Sequence, residues 1–399
     1  MVYLDYSAAT PPEEEVLKTF YDISKRYYAN PNVSHEFGLE AKRVVDESTK
    51  LIANLLGVME EEVIYTSGAS ESNNLVIKGI CQRYKNRGKH ILISSLEHTS
   101  ITKSATVMQS LGFEVEIIPV TKDGVVDLDS LKSMLRDDTI LVSVCSVDSE
   151  LGLVQPIEEI GKIVSVTSVD SELGIIQPIN DIGALLKEYK HCIFHTDASL
   201  SVGKVGIDYS SAQLITVTPH KFYGLVGCGI LIKKKDVFLI PQIDGGRSTT
   251  IYRSGTPEVA SIKAASVALS IALSKEDERF EYVKKLSSYL KGELAKYKNV
   301  YINNTENSIP HTINFSVKKI NSADIQKKLS DNQIYVSTKT SCCPVNTPSK
   351  LVYALTKDKA LSSSSLRVSI SHLTTKNDID EFLRVFDVIY KEYEKDGKI

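Results

Sequence analysis

The stretch Val63-Ile64-Tyr65-Thr66-Ser67-Gly68-Ala69-Ser70-Glu71-Ser72-Asn73-Asn74-Leu75-Val76-Ile77-Lys78-Gly79 decides the fold. Its first four residues have strand character, Ser67 to Ser70 form a small-residue turn, and a helix is expected after Ser70. A strand that runs through such a turn into a helix leaves the first backbone N–H groups of the helix pointing back at the turn. The helix dipole favours an anion there, so the stretch reads as a phosphate cradle. A plain helix start, with Ser70 as cap and Asn73 three residues on, explains the same residues about equally well, so the assignment needs partners elsewhere in the chain.

Working outward, helix-period and strand-period segments alternate from Arg43 to about residue 235. Val44, Val45, Leu51, Ile52, Leu55 and Leu56 form an apolar helical stripe stopped by Gly57. Strands are expected at 63–66, 91–95, 115–120, 140–147, 192–196, 214–218 and 229–234. This alternation predicts an α/β fold, a mainly parallel sheet covered by helices. Beyond Thr256 the pattern becomes a long helix over 275–297, short strands at 311–317, 334–338 and 366–370, and a terminal amphipathic helix carrying Ile379, Phe382, Phe386 and Ile389. We assign 14–257 to a large domain, and 1–13 with 258–399 to a smaller α+β domain. No Gly/Ser-rich or Pro-rich linker separates them, so the junction is expected to be tight.

One feature interrupts this regularity. The segment SVCSVDSELGLVQPIEEIGKIV (143–164) recurs as SVTSVDSELGIIQPINDIGALL (165–186), a tandem 22-residue repeat in two copies, too few for a solenoid. Each copy holds a strand, a turn and a short helix. A parallel sheet offers one place for that unit, so one copy is expected to bulge out as an insertion.

The chain has 399 residues with 47 basic and 50 acidic side chains, a net charge of −3, which gives no basic stripe for nucleic acid and no attraction to an anionic membrane. Its start, MVYLDYSAATPPEEE, has neither a basic opening nor an apolar core, and no segment approaches membrane-spanning length, so a soluble cytoplasmic protein acting on small molecules is expected. Cys81, Cys145, Cys192 and Cys228 sit in apolar contexts and read as buried thiols; no CxxC spacing suggests a metal. Cys342 and Cys343, in the polar run KTSCCP, are the exception.

Chemistry enters with Lys221, which follows an apolar strand and is flanked by Thr218 and His220. A desolvated lysine is a carbonyl nucleophile that forms a Schiff base. Asp197 ends the apolar strand of IFHTDA and is expected beside Lys221 at the carboxyl edge of the sheet. A phosphate cradle, such a lysine, and an aspartate able to keep a pyridine nitrogen protonated are the requirements of a pyridoxal 5'-phosphate site. His98, in SLEHTS, is placed to stack on the ring.

Taken in order, YLDYSAAT (3–10), NPNVSHEFG (30–38), TSGASESNN (66–74), SLEHTS (95–100), HTDA (195–198), HKFYG (220–224), RSGTPEVA (253–260) and SLRVSISHLTT (365–375) resemble the cysteine desulfurases. These form part of the class V aminotransferase group, within the fold-type I (aspartate aminotransferase-like) pyridoxal phosphate enzymes. The resemblance covers almost the whole chain and implies the fold and the cofactor. It implies that Lys221 is the Schiff-base lysine and later the proton shuttle, that Asp197 pairs the ring nitrogen, and that His98 stacks on the ring. Ala69, Ser70, Thr218 and His220 match phosphate-binding positions, and Thr256 is expected to reach the partner's phosphate in a homodimer. Arg367 matches the arginine that holds the substrate α-carboxylate, a role suited to a bidentate guanidinium. Aligning Val336-Ser337-Thr338 places Cys342 as the nucleophile that takes sulfur from L-cysteine as a persulfide and releases alanine. A sulfur-acceptor protein is implied, in iron-sulfur cluster assembly or a thiolation pathway.

The chain also departs from the pattern. Asp148-Ser149-Glu150-Leu151-Gly152, and again Asp170-Ser171-Glu172-Leu173-Gly174, stand where the family has Asn-Asn-Glu-Ile-Gly, leaving Ser171 or Ser149 to hydrogen-bond the substrate. Spacing to Asp197 favours the second copy in the site, while the first better fits the segment upstream. Leu200 replaces a glutamine and has no hydrogen to donate to the cofactor's phenolic oxygen. These changes keep open a pyridoxal phosphate lyase or aminotransferase acting on another amino acid (selenocysteine included), or a weakly active sulfur-carrier relative. Cys343 has no family counterpart.

Overall fold

The computed structural model describes residues 1–94, 98–119, 127, 130, 133–134, 136, 138–143, 163–167, 193–206, 213–246, 248–304, 308–338, 348–349, 352–353, 356 and 357–397. Eight strands form the main sheet: β2 (Val63–Thr66), β3 (His90–Ser94), β4 (Glu114–Ile118), β5 (Thr139–Ser143), β6 (Ile163–Thr167), β7 (Ile193–Asp197), β8 (Leu214–Val217) and β9 (Gly229–Lys233). They lie in the order β2-β9-β8-β7-β6-β5-β3-β4, and β9 alone runs against its neighbours. Helices cover both faces, and side-chain alternation along each strand sorts the apolar residues between them. Val63 and Tyr65 join the core made with α1 (Glu14–Arg26), α2 (Glu36–Leu56) and α5 (Val259–Ser274), whereas Ile64 joins the opposite core with α3 (Ala69–Tyr84) and α4 (Thr99–Ser110). Strand β9 divides the same way, Ile230 and Ile232 to the first core and Leu231 to the second. The apolar stripe of α2 ends at Gly57, as the sequence requires.

The repeat corrects one expectation. Both copies reach the sheet: β5, which runs into the first copy at Ser143, and β6, which runs into the second at Ser165, are neighbouring strands, with Val142 opposite Val164 and Ser143 opposite Ser165. Each of these pairs joins positions one 22-residue repeat apart. The physical reason is that an open parallel sheet is not limited to a fixed number of strands. A duplicated strand finds the same neighbour pattern beside its original, and the sheet widens from the seven strands expected to eight.

A second core lies in the smaller unit. The antiparallel strands β10 (Val300–Ile302), β11 (Thr312–Val317) and β13 (Ser365–Ser369) pack against α6 (Glu276–Leu294), α7 (Ser322–Asp331) and α9 (Lys376–Lys395); a short helix, α8 (Lys359–Ser363), precedes β13. Val2 and Leu4 belong to this core because β1 (Val2–Tyr3) pairs in parallel with β12 (Ile334–Tyr335). Although α5 lies beyond residue 257, its Val259, Ile262, Ala265 and Leu269 are buried in the larger core.

The N-terminal segment ties the two units together. Ser7 N–H donates to Ser369 Oγ at 2.9 Å in the small sheet, and Thr10 Oγ1 donates at 2.9 Å to the His220 carbonyl in the 3-10 turn that follows β8 of the large one.

Candidate active site

The cradle forms where β2 turns into α3. The residue before the helix is Gly68, which supplies no side-chain cap, so the reading of Ser70 and Asn73 as a cap is not realised: Asn73 points inward and Asn74 Nδ2 donates to the Ser70 carbonyl. The first-turn N–H groups, those of Ala69 and Ser70 among them, have no side chain capping them from Gly68. Strand β9 presses so close that a Cβ on Gly229 would stand 2.4 Å from Thr66 Oγ1 and 2.5 Å from Gly68 Cα. Glycine at 229 is therefore what lets the turn sit flat against the sheet. Thr218 is nearby, its Oγ1 4.0 Å from where a Gly68 Cβ would be, and it shares a 3.0 Å hydrogen bond with His220 Nδ1. Burial, then the positive charges of Lys221 and Lys204, lowers the His220 pKa to about 4, so the ring is neutral.

Asp197 and Lys221 come from adjacent strands. Asp197, the last residue of β7, lies opposite Thr216 of β8, and Lys221 closes the 3-10 turn that follows. The Asp197 carboxylate is held on both oxygens: Oδ1 accepts the Ser199 N–H at 3.0 Å and Oδ2 accepts Asn73 Nδ2 at 3.1 Å. Lys221 Nζ donates to the carbonyls of Ser7 and of Ala8, the latter at 2.9 Å, so the N-terminal segment fixes the amine. His98 stands at the start of α4, its Nδ1 accepting the Ser100 N–H at 3.2 Å.

Arg367 sits mid-strand in β13 and is only 2 % exposed. Its Nη2 donates to Asp5 Oδ1 at 2.9 Å, while Asp5 Oδ2 accepts Ser337 Oγ at 2.7 Å. Ser337 and Arg367 also exchange backbone hydrogen bonds, at 2.6 and 3.1 Å. One carboxylate thus joins the guanidinium to the Val336-Ser337-Thr338 segment that precedes Cys342 in sequence. Thr256 is exposed and lines a cavity of about 250 Å³ with Thr66, Ser67, Gly227 and Arg253, beside the cradle turn. Cys342, Cys343, Ser149 and Ser171, with both DSELG segments, lie outside the described residues, as do Cys145 and Cys192. Cys81 and Cys228 are buried free thiols, as expected from their apolar contexts.

Four residues of this neighbourhood were missed or given another role in the sequence reading. Asp5 lies inside the quoted YLDYSAAT motif, but its partners are more than three hundred residues away. Asn73 passed for a helix cap. His195 and Lys204 flank Asp197 in sequence, and their burial was the missing signal. Lys204 is 5 % exposed; burial, then the charges of Lys221 and Arg367, lowers its pKa to about 7. Leu200 is buried against Ile309 and Val205, so an apolar wall stands where a donor was expected.

This arrangement suits pyridoxal phosphate. Uncapped helix N–H groups with the Thr218 hydroxyl suit a phosphate, the doubly held carboxylate suits a protonated pyridine nitrogen, and Lys221 supplies the amine. Ser199 Oγ, buried without a hydrogen-bond partner next to Asp197, is a polar atom that a bound group would satisfy.

Comparison with known proteins agrees. The class-V aminotransferase family model matches residues 2–164 and 161–382, the two matches meeting within the repeat. The chain is 34 % identical to the cysteine desulfurase IscS of Dictyoglomus turgidum over 98 % of this chain and 95 % of that protein. It is 33 % identical to the mitochondrial cysteine desulfurase of Candida albicans over 97 % of this chain and 76 % of that protein. Among solved structures it is similar to a NifS-like protein (TM-score 0.84, 28 % identity, 97 % of this chain and 99 % of that one). It is also similar to SspA in complex with cysteine (TM-score 0.76, 26 % identity, 93 % and 99 %). The chain therefore belongs to the cysteine desulfurases of the class-V aminotransferase family, a pyridoxal phosphate-dependent group of the fold-type I architecture.

Proposed function

We propose that the protein converts L-cysteine to L-alanine, holds the sulfur as a persulfide on Cys342 and passes it to an acceptor protein, as in the assembly of iron-sulfur clusters, and that it works as a homodimer. The observation that carries this reading is the placement of Asp197 and Lys221 at the ends of adjacent strands, with the cradle turn beside them. When bound there, pyridoxal phosphate supplies an electron sink for the substrate's carbon atoms.

The chain's own residues divide the remaining work. Ala69, Ser70, Thr218 and His220 hold the phosphate, Asp197 pairs with the ring nitrogen, and His98 covers the ring. Lys221 moves the proton at the substrate α-carbon. Arg367 binds the substrate carboxylate, with Asp5 fixing the guanidinium's orientation. The Cys342 thiolate attacks the substrate sulfur: an S–S bond forms as the C–S bond breaks, and the electron pair left on carbon is protonated to give alanine. Thr256, exposed at the cavity rim, is available to a second copy, and Val226 and Ile251, 77 % and 67 % exposed, give that surface apolar area to bury.

A second reading rests on Leu200. Without a donor to the cofactor's phenolic oxygen, the site is tuned differently from its relatives, which favours a lyase or aminotransferase acting on another amino acid. The test is alanine formation from L-cysteine with a thiol as acceptor. The wild type is expected to release alanine and sulfide, and Cys342→Ala to lose more than about 99 % of the sulfide while Cys343→Ser retains it. Equal turnover in Cys342→Ala would exclude the persulfide route and favour the second reading.

A further inference from the structure

Asn73 is fully buried on α3, and three hydrogen bonds of its carboxamide admit a single assignment of donors and acceptors. An ionised carboxylate only accepts, so the atom 3.1 Å from Asp197 Oδ2 must be the Asn73 NH₂ group. The same nitrogen donates its other hydrogen to Ser100 Oγ at 3.0 Å. Asn73 Oδ1 then faces Thr216 Oγ1 at 3.1 Å, and the threonine hydroxyl must donate to it. With its hydrogen so committed, Thr216 Oγ1 accepts from His195 Nε2 at 2.9 Å, which places the His195 proton on Nε2. Burial lowers the His195 pKa to about 4, consistent with a neutral ring.

At the other end the direction is equally constrained. Ser100 Oγ already accepts from Asn73, and the Ser100 N–H points at His98 Nδ1, so that nitrogen carries no proton and the Ser100 hydroxyl donates to it at 2.7 Å. The neutral His98 ring therefore carries its proton on Nε2. A continuous chain runs from His195 through Thr216 to Asn73, and from there branches to Asp197 and, through Ser100, to His98. Reversing any one link sets two donors or two acceptors face to face, and in a buried network each such conflict leaves a desolvated polar group unpaired.

We propose that Asn73 is a positioning residue that ties the carboxylate of Asp197 to the imidazole of His98 through one carboxamide, setting the tautomer of His195 while the Ser100 N–H sets that of His98. The proposal rests on the pyridoxal phosphate reading for its consequence: the group that pairs with the ring nitrogen and the group that covers the ring are then fixed as one unit before the cofactor arrives. It also explains how the two stay coupled although β5 and β6 lie between β3 and β7 in the sheet. The amide on α3 spans the gap from one face.

The test uses the apoprotein, labelled with ¹⁵N in its histidines, beside Asn73→Ala and the isosteric Asn73→Asp. In the wild type, His98 and His195 are expected as Nε2–H tautomers. In Asn73→Ala the His195 ring is expected to become a mixture, because Thr216 no longer has to donate to residue 73, while His98 keeps its proton on Nε2. Asn73→Asp presents an acceptor where Ser100 met a donor and sets a second carboxylate against Asp197, so the serine hydroxyl turns towards residue 73 while the Ser100 N–H keeps the His98 proton on Nε2. Titration of each apoprotein with pyridoxal phosphate adds a second readout, an affinity about tenfold weaker in both variants, equivalent to about 1.4 kcal/mol. A merely structural role would lower the unfolding midpoint and leave the tautomers in place. An unchanged His195 tautomer in Asn73→Ala, an unaltered pyridoxal phosphate affinity in Asn73→Asp, or a wild type with its proton on Nδ1 of His98 would overturn the proposal. Failure of the wild type to take up pyridoxal phosphate would instead overturn the cofactor reading, while the tautomers still decide the tie.

Discussion

At the scale of single residues, Lys204 is the group whose charge state the surroundings change most informatively. It is buried beside Lys221 and Arg367, and its folded-state pKa of about 7 lies below the ordinary lysine value of 10.5. The unfolded chain therefore binds more protons than the folded one between those two values, and stability rises with pH across that window. Below about pH 7 the cost of a charged Lys204 is fully present; towards pH 10 it disappears. Lys204→Met is accordingly expected to stabilise the apoprotein by about 2 kcal/mol at pH 6.5 and by little at pH 10, read from urea midpoints at the two values. An equal gain at both would assign the effect to packing. Residues of this kind explain what the sequence did and did not disclose. Lys221 and Asp197 were legible because one closely follows an apolar strand and the other ends one, where a charged side chain is conspicuous. Asp5, Asn73 and Lys204 were not, because their significance lies in partners such as Arg367 and Asp197 that only the fold brings near.

At the scale of elements, strand periodicity predicted the sheet well from Val63 to Lys233, and the small-residue turn after β2 announced the cradle. The register of the repeat escaped that reading, since alternation gives a strand's faces but not the number of its neighbours. Because equivalent positions of the two copies pair with each other, deleting residues 165–186 joins the start of β6 directly to the segment leading into β7 and restores a seven-stranded sheet. The shortened protein is expected to fold with an unfolding midpoint within about 5 °C of the full chain, and to retain pyridoxal phosphate. Loss of cooperative unfolding would mean that the eighth strand is required. Deleting 143–164 instead should give nearly the same protein, since the copies agree in the residues that pair, and comparing the two deletions for cofactor affinity would show which DSELG segment serves the site better.

At the scale of the whole molecule, the site lies where three parts of the chain meet: the carboxyl edge of the large sheet, strand β13 of the small unit, and the N-terminal segment that touches both. That convergence brings the smaller unit to the candidate site, since Arg367 and Ser337 both belong to it. The resemblance of motifs along the chain made this architecture legible before any strand was placed. The proposed homodimer rests on Thr256, which is exposed beside the turn between β2 and α3. A dimer of about twice 44.1 kDa is expected by light scattering, and Thr256→Ala is expected to weaken pyridoxal phosphate binding about tenfold without dissociating it; an unaltered affinity would place the residue outside the site. Everything above depends on one lysine holding the cofactor, and the choice lies between half-buried Lys221 and buried Lys204. Borohydride reduction of the reconstituted protein, followed by peptide mass mapping, decides between them. The account predicts the pyridoxyl group on the peptide containing Lys221, and a label on Lys204, on another lysine or on none would contradict it.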